Sequence, residues 1–338
     1  MKAIFVSKYG APDTLEVRSI PDLIADHGQI RIRVKAAGLN FADCMARMGI
    51  YPGAPPTPFI PGLECAGVVD AVGHGVGPEW LGRRVVAPTW FGGYAEQLLT
   101  TPEDVLPIPQ GKSFEQGAAV AVTYLTALHG LHYLANLQEG DWVLIHTAAG
   151  GVGTAAVQLA LLSKAVVIGT ASASKHDFLK KMGVQHTIDY RTQDFEVEVA
   201  RITGGKGVRI AMDPIGGRNF EKSYRSLRRG GVLLMYGLSA AAPTERRNFL
   251  TVAWEYLSSP RFSSMRLMND NKAVIGYHMG RMTGERDLLR RECAEIAALW
   301  EQGKIDPVVG QVFPYTHAAD AHRYMQDRKN IGKIVLTF

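Results

Sequence analysis

Cysteine is scarce in this chain. Cys44, Cys65 and Cys293 are the whole supply in 338 residues, and no two of them stand in a CxxC spacing. A disulfide framework and a four-cysteine zinc lobe are excluded, and the count fits a reducing compartment. An uninterrupted apolar span is also lacking. Val143 to Ser163 carries no Asp, Glu, Lys or Arg, but Gly150, Gly151 and Gly153 break it at one point. A strand, a turn and a buried helix are expected there rather than a membrane segment. The opening residues soon reach Lys8 and Asp13, so no secretory leader is expected and the location is read as cytoplasmic. Clustered charge of one sign is the third absence. The 37 Lys and Arg against 32 Asp and Glu leave a net charge of +5, spread along the chain. That suits an anionic small ligand such as a nucleotide phosphate, not a nucleic-acid backbone.

What is present divides into two styles. Hydrophobic residues make up 46% and charged residues 20%, as in a soluble globular protein, and the length suggests two domains at ~150 residues each. The first third has short alternating apolar runs. Gln29 to Ala36 reads as a half-buried strand, as do Cys65 to Val72 and Arg83 to Ala87, and five prolines between Pro52 and Pro61 make that stretch irregular. An antiparallel, barrel-like domain is expected. From about Ala119 strands alternate with helices. Strands are read at Trp142 to His146, Val166 to Thr170, His186 to Asp189, Val208 to Asp213, Gly231 to Tyr236 and Ala273 to Tyr277. Helices fill the gaps, among them Val152 to Leu162, His176 to Met182, Phe195 to Thr203 and Phe220 to Leu227. This is a βαβ series, which implies a parallel sheet covered on both faces. Leu289, Cys293, Ile296 and Trp300 then mark a long helix. The last strand, Lys333 to Phe338, would return to the first domain.

The sharpest signal is the run Val143 to Gly153, in which a strand enters a glycine turn and a helix starts at once. Such glycines let the backbone approach a pyrophosphate at a helix N-terminus. Enzymes that use NAD place an acid about 20 residues on, for the ribose 2′-hydroxyl. Here the next strand leads into Ala171-Ser172-Ala173-Ser174-Lys175, with no acid before Asp177. Ser174 and Lys175 offer a hydroxyl and a cation to a 2′-phosphate, and Tyr190 after the third strand adds another hydroxyl. NADPH is therefore the expected cofactor. The blander reading of Lys175 is a solvated helix start. Metal ligation is not expected: His129 and His132 share a helix face with no acid or cysteine at a useful spacing.

Several stretches together resemble the medium-chain dehydrogenase/reductase superfamily: Asn40-Phe41-Ala42-Asp43, Gly49-Ile50-Tyr51-Pro52, Pro61 to Val69, and Val72-Gly73. Ala148 to Gly153 with Gln158-Leu159-Ala160 is similar to its zinc-independent quinone oxidoreductase branch, the relatives of zeta-crystallin. Gly169 to His176, Met212 to Gly217 and Asn330 to Lys333 resemble the vesicle amine transport protein subgroup. The resemblance implies an α/β fold, with a split GroES-like antiparallel β-barrel catalytic domain and a Rossmann doubly wound parallel sheet. The expected boundaries are 1–120 for the catalytic domain, 121–264 for the NADPH-binding domain and 265–338 for a return segment completing both. A homodimer is implied. Asn40 and Tyr51 would line the nicotinamide and substrate site, and Thr126 would bond near the nicotinamide ribose or phosphates. Gly150, Gly151, Val152 and Gly153 would bind the pyrophosphate, and Ser174, Lys175 and Tyr190 the 2′-phosphate end. Gly216, Tyr236 and Gly237 would border the cofactor from later strand ends, and Asn330 from the C-terminal segment. Zinc-dependent members carry a Cys where this chain has Asn40 and a His where it has Leu63, while Glu64 is retained. Thr123 replaces a frequent Asn.

With no Lewis acid implied, the expected chemistry is hydride transfer from NADPH to an acceptor that takes it readily. A small apolar quinone is the first expectation. The second is an α,β-unsaturated carbonyl, an acyl thioester among them, since Gly38 to Phe41 and Tyr51 to Gly53 also resemble polyketide enoyl reductase domains. The third is a non-enzymatic NADPH-binding protein. Tyr51 is the candidate proton donor or carbonyl partner, against plain packing in a Pro-rich loop. For Asn40 and Asp43 the alternative is a turn-stabilising hydrogen bond. Phe249, Trp254, Tyr256 and Phe262 are read as an apolar wall or a dimer core.

Overall fold

The structure, a computed structural model, describes residues 1–245, 247–282 and 284–338. The chain divides into two compact units, one of Met1–Leu125, Thr244–Arg247 and Thr283–Phe338, the other of Thr126–Pro243 and Asn248–Met282.

The first unit starts with the antiparallel pair β1 (Lys2–Val6) and β2 (Leu15–Ser19). It continues through β3 (Ile30–Leu39), α1 (Phe41–Met48), β4 (Glu64–Val72), β5 (Arg84–Pro88), β6 (Gln97–Thr100), β7 (Leu106–Pro107) and α2 (Phe114–Gly117). Residues buried on alternate positions of β3, Ile30, Ile32 and Val34, form a core with Val69, Val85 and Leu98, as the period of two predicts.

A helix α3 (Ala121–Leu128) runs on into a π-helical stretch, His129–Leu134. The second unit then alternates β8 (Trp142–Ile145), α4 (Gly151–Leu162), β9 (Val166–Ala171), α5 (His176–Lys181), β10 (His186–Asp189), α6 (Phe195–Ile202), β11 (Val208–Asp213), α7 (Arg218–Arg225) and β12 (Leu227–Met235). Helices α8 (Phe249–Ser258) and α9 (Ser264–Asp270) precede β13 (Ala273–Gly276). The six strands are parallel in the order β10-β9-β8-β11-β12-β13, so their C-terminal ends share one edge. The Val, Ile and Leu runs of the four inner strands β9, β8, β11 and β12 are buried, as a helix-covered parallel sheet requires.

The chain returns to the first unit with α10 (Arg286–Glu301), β14 (Val309–Pro314), α11 (Ala318–Gln326) and β15 (Lys333–Thr337). On α10 the predicted stripe is partly realised: Ile296 and Trp300 are buried, Leu289 and Cys293 half-buried. The first unit's larger sheet has the order β14-β15-β3-β4-β5-β7, with β6 also paired to β3.

Three expectations need correction. The sheet of the first unit is not wholly antiparallel, because β14 and β15 run parallel. Strand β3 continues past Ala36 to Leu39, since Ala37, Gly38 and Leu39 pair with Leu336, Val335 and Ile334, partners some 300 residues away that local alternation cannot reveal. Strand β12 begins at Leu227 rather than Gly231. Leu227 pairs with Val208 before an irregularity, and the polar Arg228-Arg229-Gly230 between them reads locally as a turn.

Candidate active site

In the second unit the glycine turn lies at the C-terminal end of β8. Thr147 takes the left-handed conformation at φ 52°. Gly150 donates its N–H to the Thr147 carbonyl at 2.8 Å, and Ala148 donates to the Thr170 carbonyl at 3.1 Å. Helix α4 starts at once, with Gly150 at its N-cap, no side-chain cap and no acid in its first turn. Its leading N–H groups and the positive end of its dipole are thus left for an anion. A methyl on Gly153 would stand 2.3 Å from the Thr147 oxygen and 2.7 Å from the Ala148 backbone, so only glycine lets the helix press against the turn.

The next strand end carries cations. After β9, Ser172 and Ser174 face each other at 3.3 Å between hydroxyl oxygens, and Lys175 stands at the start of α5. Burial and the nearby Arg191 guanidinium both hold the Lys175 ammonium below its ordinary range. Two cations kept close are a receptor for a multiply charged anion. Tyr190, beside Arg191, is partly exposed.

At the ends of β11 and β12 the buried Asp213 carboxylate accepts from the Ile215 amide at 2.8 Å and the Asn219 side chain at 2.8 Å. This fixes the turn through Gly216 and Gly217, both at positive φ. Tyr236 and Gly237 follow β12. The Tyr236 ring stacks on Tyr277 at 5.8 Å, and its buried hydroxyl has no partner among the described residues. Tyr277 donates to the carbonyl of the buried Thr126 at 3.0 Å. The π-helical stretch includes Gly130, where a methyl would meet the Tyr277 oxygen at 2.4 Å.

In the first unit Asn40 caps α1 in a reciprocal box with Asp43. Its amide nitrogen also donates to Glu64 at 3.1 Å and to the Gly38 carbonyl at 3.3 Å, while its oxygen accepts from Lys333 at 2.6 Å. The Lys333 ammonium also bonds Glu64, whose other oxygen accepts from the Val122 amide at 2.9 Å. Asp43 is fully buried and accepts from the amides of Asn40 and Gly62 and from the Tyr94 hydroxyl. Burial, partly offset by these donors and by Lys333, pushes its carboxyl up to about 6. Tyr51 is half-buried with Trp90 and Phe91 at 6.2 and 6.4 Å. Asn330 donates to the Gly332 carbonyl at 3.2 Å.

Residues 26–114 match the family described as an alcohol dehydrogenase GroES-like domain, and residues 182–336 the family described as a zinc-binding dehydrogenase. The human synaptic vesicle membrane protein VAT-1 homolog is 40% identical over 99% of this chain and 86% of its own length. The chain belongs to the medium-chain dehydrogenase/reductase family. Its place is in the VAT-1 subgroup. Solved structures agree over essentially the full length. The mycobacterial Rv1454c complexed with NADPH has a TM-score of 0.87 at 29% identity, covering 100% of both chains. A mycobacterial quinone oxidoreductase has 0.81 at 29%, again over 100% of both. The CurK enoyl reductase has 0.86 at 29%, over 99% of this chain and 98% of its own.

A zinc ion does not fit the residues of this medium-chain dehydrogenase/reductase at the position the family name implies. Leu63 has no donor, and the Glu64 carboxylate already holds an ammonium. Among the described residues no three His, Cys, Asp or Glu side chains gather to hold a metal. His129 is instead buried against Tyr133 and Tyr277, and His132 bonds Ser163 at 3.2 Å. No helix among the described residues is long and apolar enough to cross a membrane. In the second unit Gly150, Gly151, Val152, Gly153, Ser174, Lys175, Tyr190, Gly216, Tyr236 and Gly237 all follow C-terminal strand ends, and Thr126 is tied to that edge through Tyr277. In the first unit Asn40 accepts from Lys333, Asn330 donates to the Gly332 carbonyl, and Tyr51 lies in an aromatic cluster. Sequence reasoning missed Arg191 and Lys333. Arg191 adjoins Tyr190 in the loop already singled out. Lys333 had no local signal: only the folded chain brings it to Gly38, where a methyl would meet the Lys333 stem at 2.6 Å and the Ala118 oxygen at 2.1 Å. The wall of Phe249, Trp254 and Tyr256 is exposed, and only Phe262 packs inward, on Tyr224 at 4.9 Å.

Proposed function

We propose that this medium-chain dehydrogenase/reductase is an NADPH-dependent, zinc-free oxidoreductase that reduces a small apolar quinone. The observation that carries the reading is a pair of cations, Lys175 after β9, a strand with no acid at its end, and Arg191 in the loop after β10, close enough to hold the Lys175 ammonium down. They suit the 2′-phosphate, and the uncapped start of α4 suits the pyrophosphate. When bound, NADPH supplies a hydride. The chain's own part is binding and proton handling. Gly150 to Gly153 give backbone N–H groups, Ser174, Lys175, Tyr190 and Arg191 hold the 2′-phosphate, and Gly216, Tyr236 and Gly237 border the dinucleotide. In the first unit Lys333 and Glu64 fix the Asn40 amide. Tyr51 offers a hydroxyl to the acceptor's carbonyl oxygen, which needs one proton for each hydride taken. With Glu64 committed to Lys333, no Lewis acid is proposed, which favours acceptors that need none.

The likeness to an enoyl reductase supports a second reading, reduction of the C=C bond of an enone or enoyl thioester. NADPH consumption with a planar ortho-quinone, set beside a 2-alkenal or enoyl thioester, separates the two. Turnover of the quinone alone supports the first reading, and comparable or faster turnover of the C=C acceptor replaces it with the second. Neither reacting while NADPH binds favours a non-catalytic cofactor-binding role. A homodimer is part of the same proposal. Strand β13 is a sheet edge, and Leu250 and Tyr256 of α8 are 82% and 77% exposed, so light scattering should give twice the chain mass.

A further inference from the structure

A buried chain of side chains runs beneath three of the loops assigned above to the cofactor. His146, directly after β8, is 1% exposed. Its Nδ1 lies 3.1 Å from the Thr170 hydroxyl on β9, and its Nε2 lies 3.0 Å from the Ser223 hydroxyl on α7. Ser223 in turn lies 2.7 Å from Asp213 Oδ2 at the end of β11.

The chemistry fixes which atom donates at each link. A carboxylate only accepts, so the single Ser223 proton goes to Asp213. The Ser223 oxygen must then accept from His146, which puts the ring proton on Nε2. Burial keeps the imidazole neutral, below its ordinary pKa, so Nδ1 carries a lone pair and accepts from Thr170. The order of donation is Thr170 to His146 to Ser223 to Asp213.

Three of the members, His146, Thr170 and Asp213, also anchor a loop. His146 is followed at once by the glycine turn. The Thr170 carbonyl holds the Ala148 amide of that turn at 3.1 Å, and Thr170 itself leads into Ser172 to Lys175. Asp213 holds the Ile215 amide of the Gly216-Gly217 turn.

We propose that His146, as its Nε2–H tautomer, is a positioning residue that sets the pyrophosphate turn, the 2′-phosphate loop and the Gly216-Gly217 turn in register for NADPH, with Thr170, Ser223 and Asp213 as its partners. The cofactor part rests on the nucleotide-site reading above. His146 touches no reacting group. Its effect is on the shape of the loops before the cofactor arrives, which appears in affinity rather than in turnover at saturation.

The test has two arms. Nitrogen-15 NMR of histidine-labelled full-length protein at pH 7 reads the tautomer directly. A protonated Nε2 and bare Nδ1 are expected at His146, and a protonated Nδ1 overturns the proposal. The second arm titrates NADPH into wild type, His146→Ala, His146→Gln and Val199→Ala, with thermal melting of each. Val199 is buried in the same core and contacts none of the loops through a hydrogen bond. His146→Ala should weaken NADPH binding about tenfold with kcat at saturating NADPH changed less, as an unmade buried hydrogen bond implies. His146→Gln, which keeps a donor toward Ser223, should recover part of that loss. Val199→Ala should melt earlier yet bind normally. Equal loss of affinity in Val199→Ala at the same loss of melting temperature reduces His146 to a packing residue and overturns the proposal. If His146→Ala does not fold, His146→Gln and the tautomer measurement still decide. Failure of the wild type to bind NADPH overturns the nucleotide-site reading and the cofactor role of His146 with it, whereas normal wild-type binding left untouched in His146→Ala overturns only the latter.

Discussion

The Lys333 ammonium donates to the Asn40 amide oxygen at 2.6 Å across 293 residues of chain, and it is only 3% exposed in doing so. The same ammonium closes on Glu64, whose side chain is fully buried. A charge so placed is costly to leave alone. Lys333→Met strands the Glu64 carboxylate and should destabilise the protein by about 3 kcal/mol or more. Lys333→Met with Glu64→Gln should regain part of this. Denaturant titration of the three proteins checks the order.

Lys175 and Arg191 are expected to decide between NADPH and NADH. Lys175→Ala should weaken NADPH binding by about tenfold or more, the worth of ~1.4 kcal/mol or greater in a charge-assisted contact. NADH binding should hardly change, because it lacks the 2′-phosphate. Arg191→Ala should act in the same direction. Fluorescence titration with both cofactors reads the ratio, and equal losses for the two refute the assignment.

Gly153→Ala puts a methyl 2.3 Å from a backbone oxygen that has little room to move. Helix α4 must shift from the turn, and NADPH affinity should fall by about tenfold or more. Far-ultraviolet circular dichroism should stay near wild type while the dissociation constant rises.

Asp43 makes stability depend on pH. Its folded carboxyl titrates at about 6, above the ordinary value, so the fold favours the protonated form. Stability from this group is greatest below the unfolded pKa near ~4 and falls as pH rises through that value to about 6, by about 3 kcal/mol in all. Asp43→Asn cannot titrate. The stability of wild type relative to Asp43→Asn should therefore decline between pH 4 and pH 7, and a difference that rises instead contradicts the assignment.

Tyr51→Phe tests the proton donor. If the hydroxyl serves the acceptor's oxygen, kcat should fall about tenfold or more, with NADPH binding unchanged. An unchanged kcat gives the proton to water and leaves Tyr51 a packing role with Trp90 and Phe91.

The βαβ alternation was legible because each unit's period is written in consecutive residues. Runs of Val, Ile and Leu announce buried parallel strands, and a strand that meets glycines and then an Ala/Leu-rich run announces the turn before α4. The choice of Ser174 and Lys175 was equally local. Antiparallel pairing in the first third could be read from alternation on β3 and β4, but not the length of β3, whose last two residues, Gly38 and Leu39, pair with β15.

What the tertiary structure alone decided is where distant polar groups meet. Lys333 reads as an ordinary exposed lysine until β15 lies beside β3 and carries it to Asn40 and Glu64. Arg191 comes near Lys175 because the end of β10 lies beside the end of β9. His146 looks like one more residue of a strand, and only the sheet order β9-β8-β11 sets it between Thr170 and Ser223. Hydrophobic periodicity and glycine turns are properties of neighbours in sequence, so the sequence by itself determined the elements and the cofactor class. Buried hydrogen bonds are properties of neighbours in space, and long-range contacts fix them only once the strands have chosen their order.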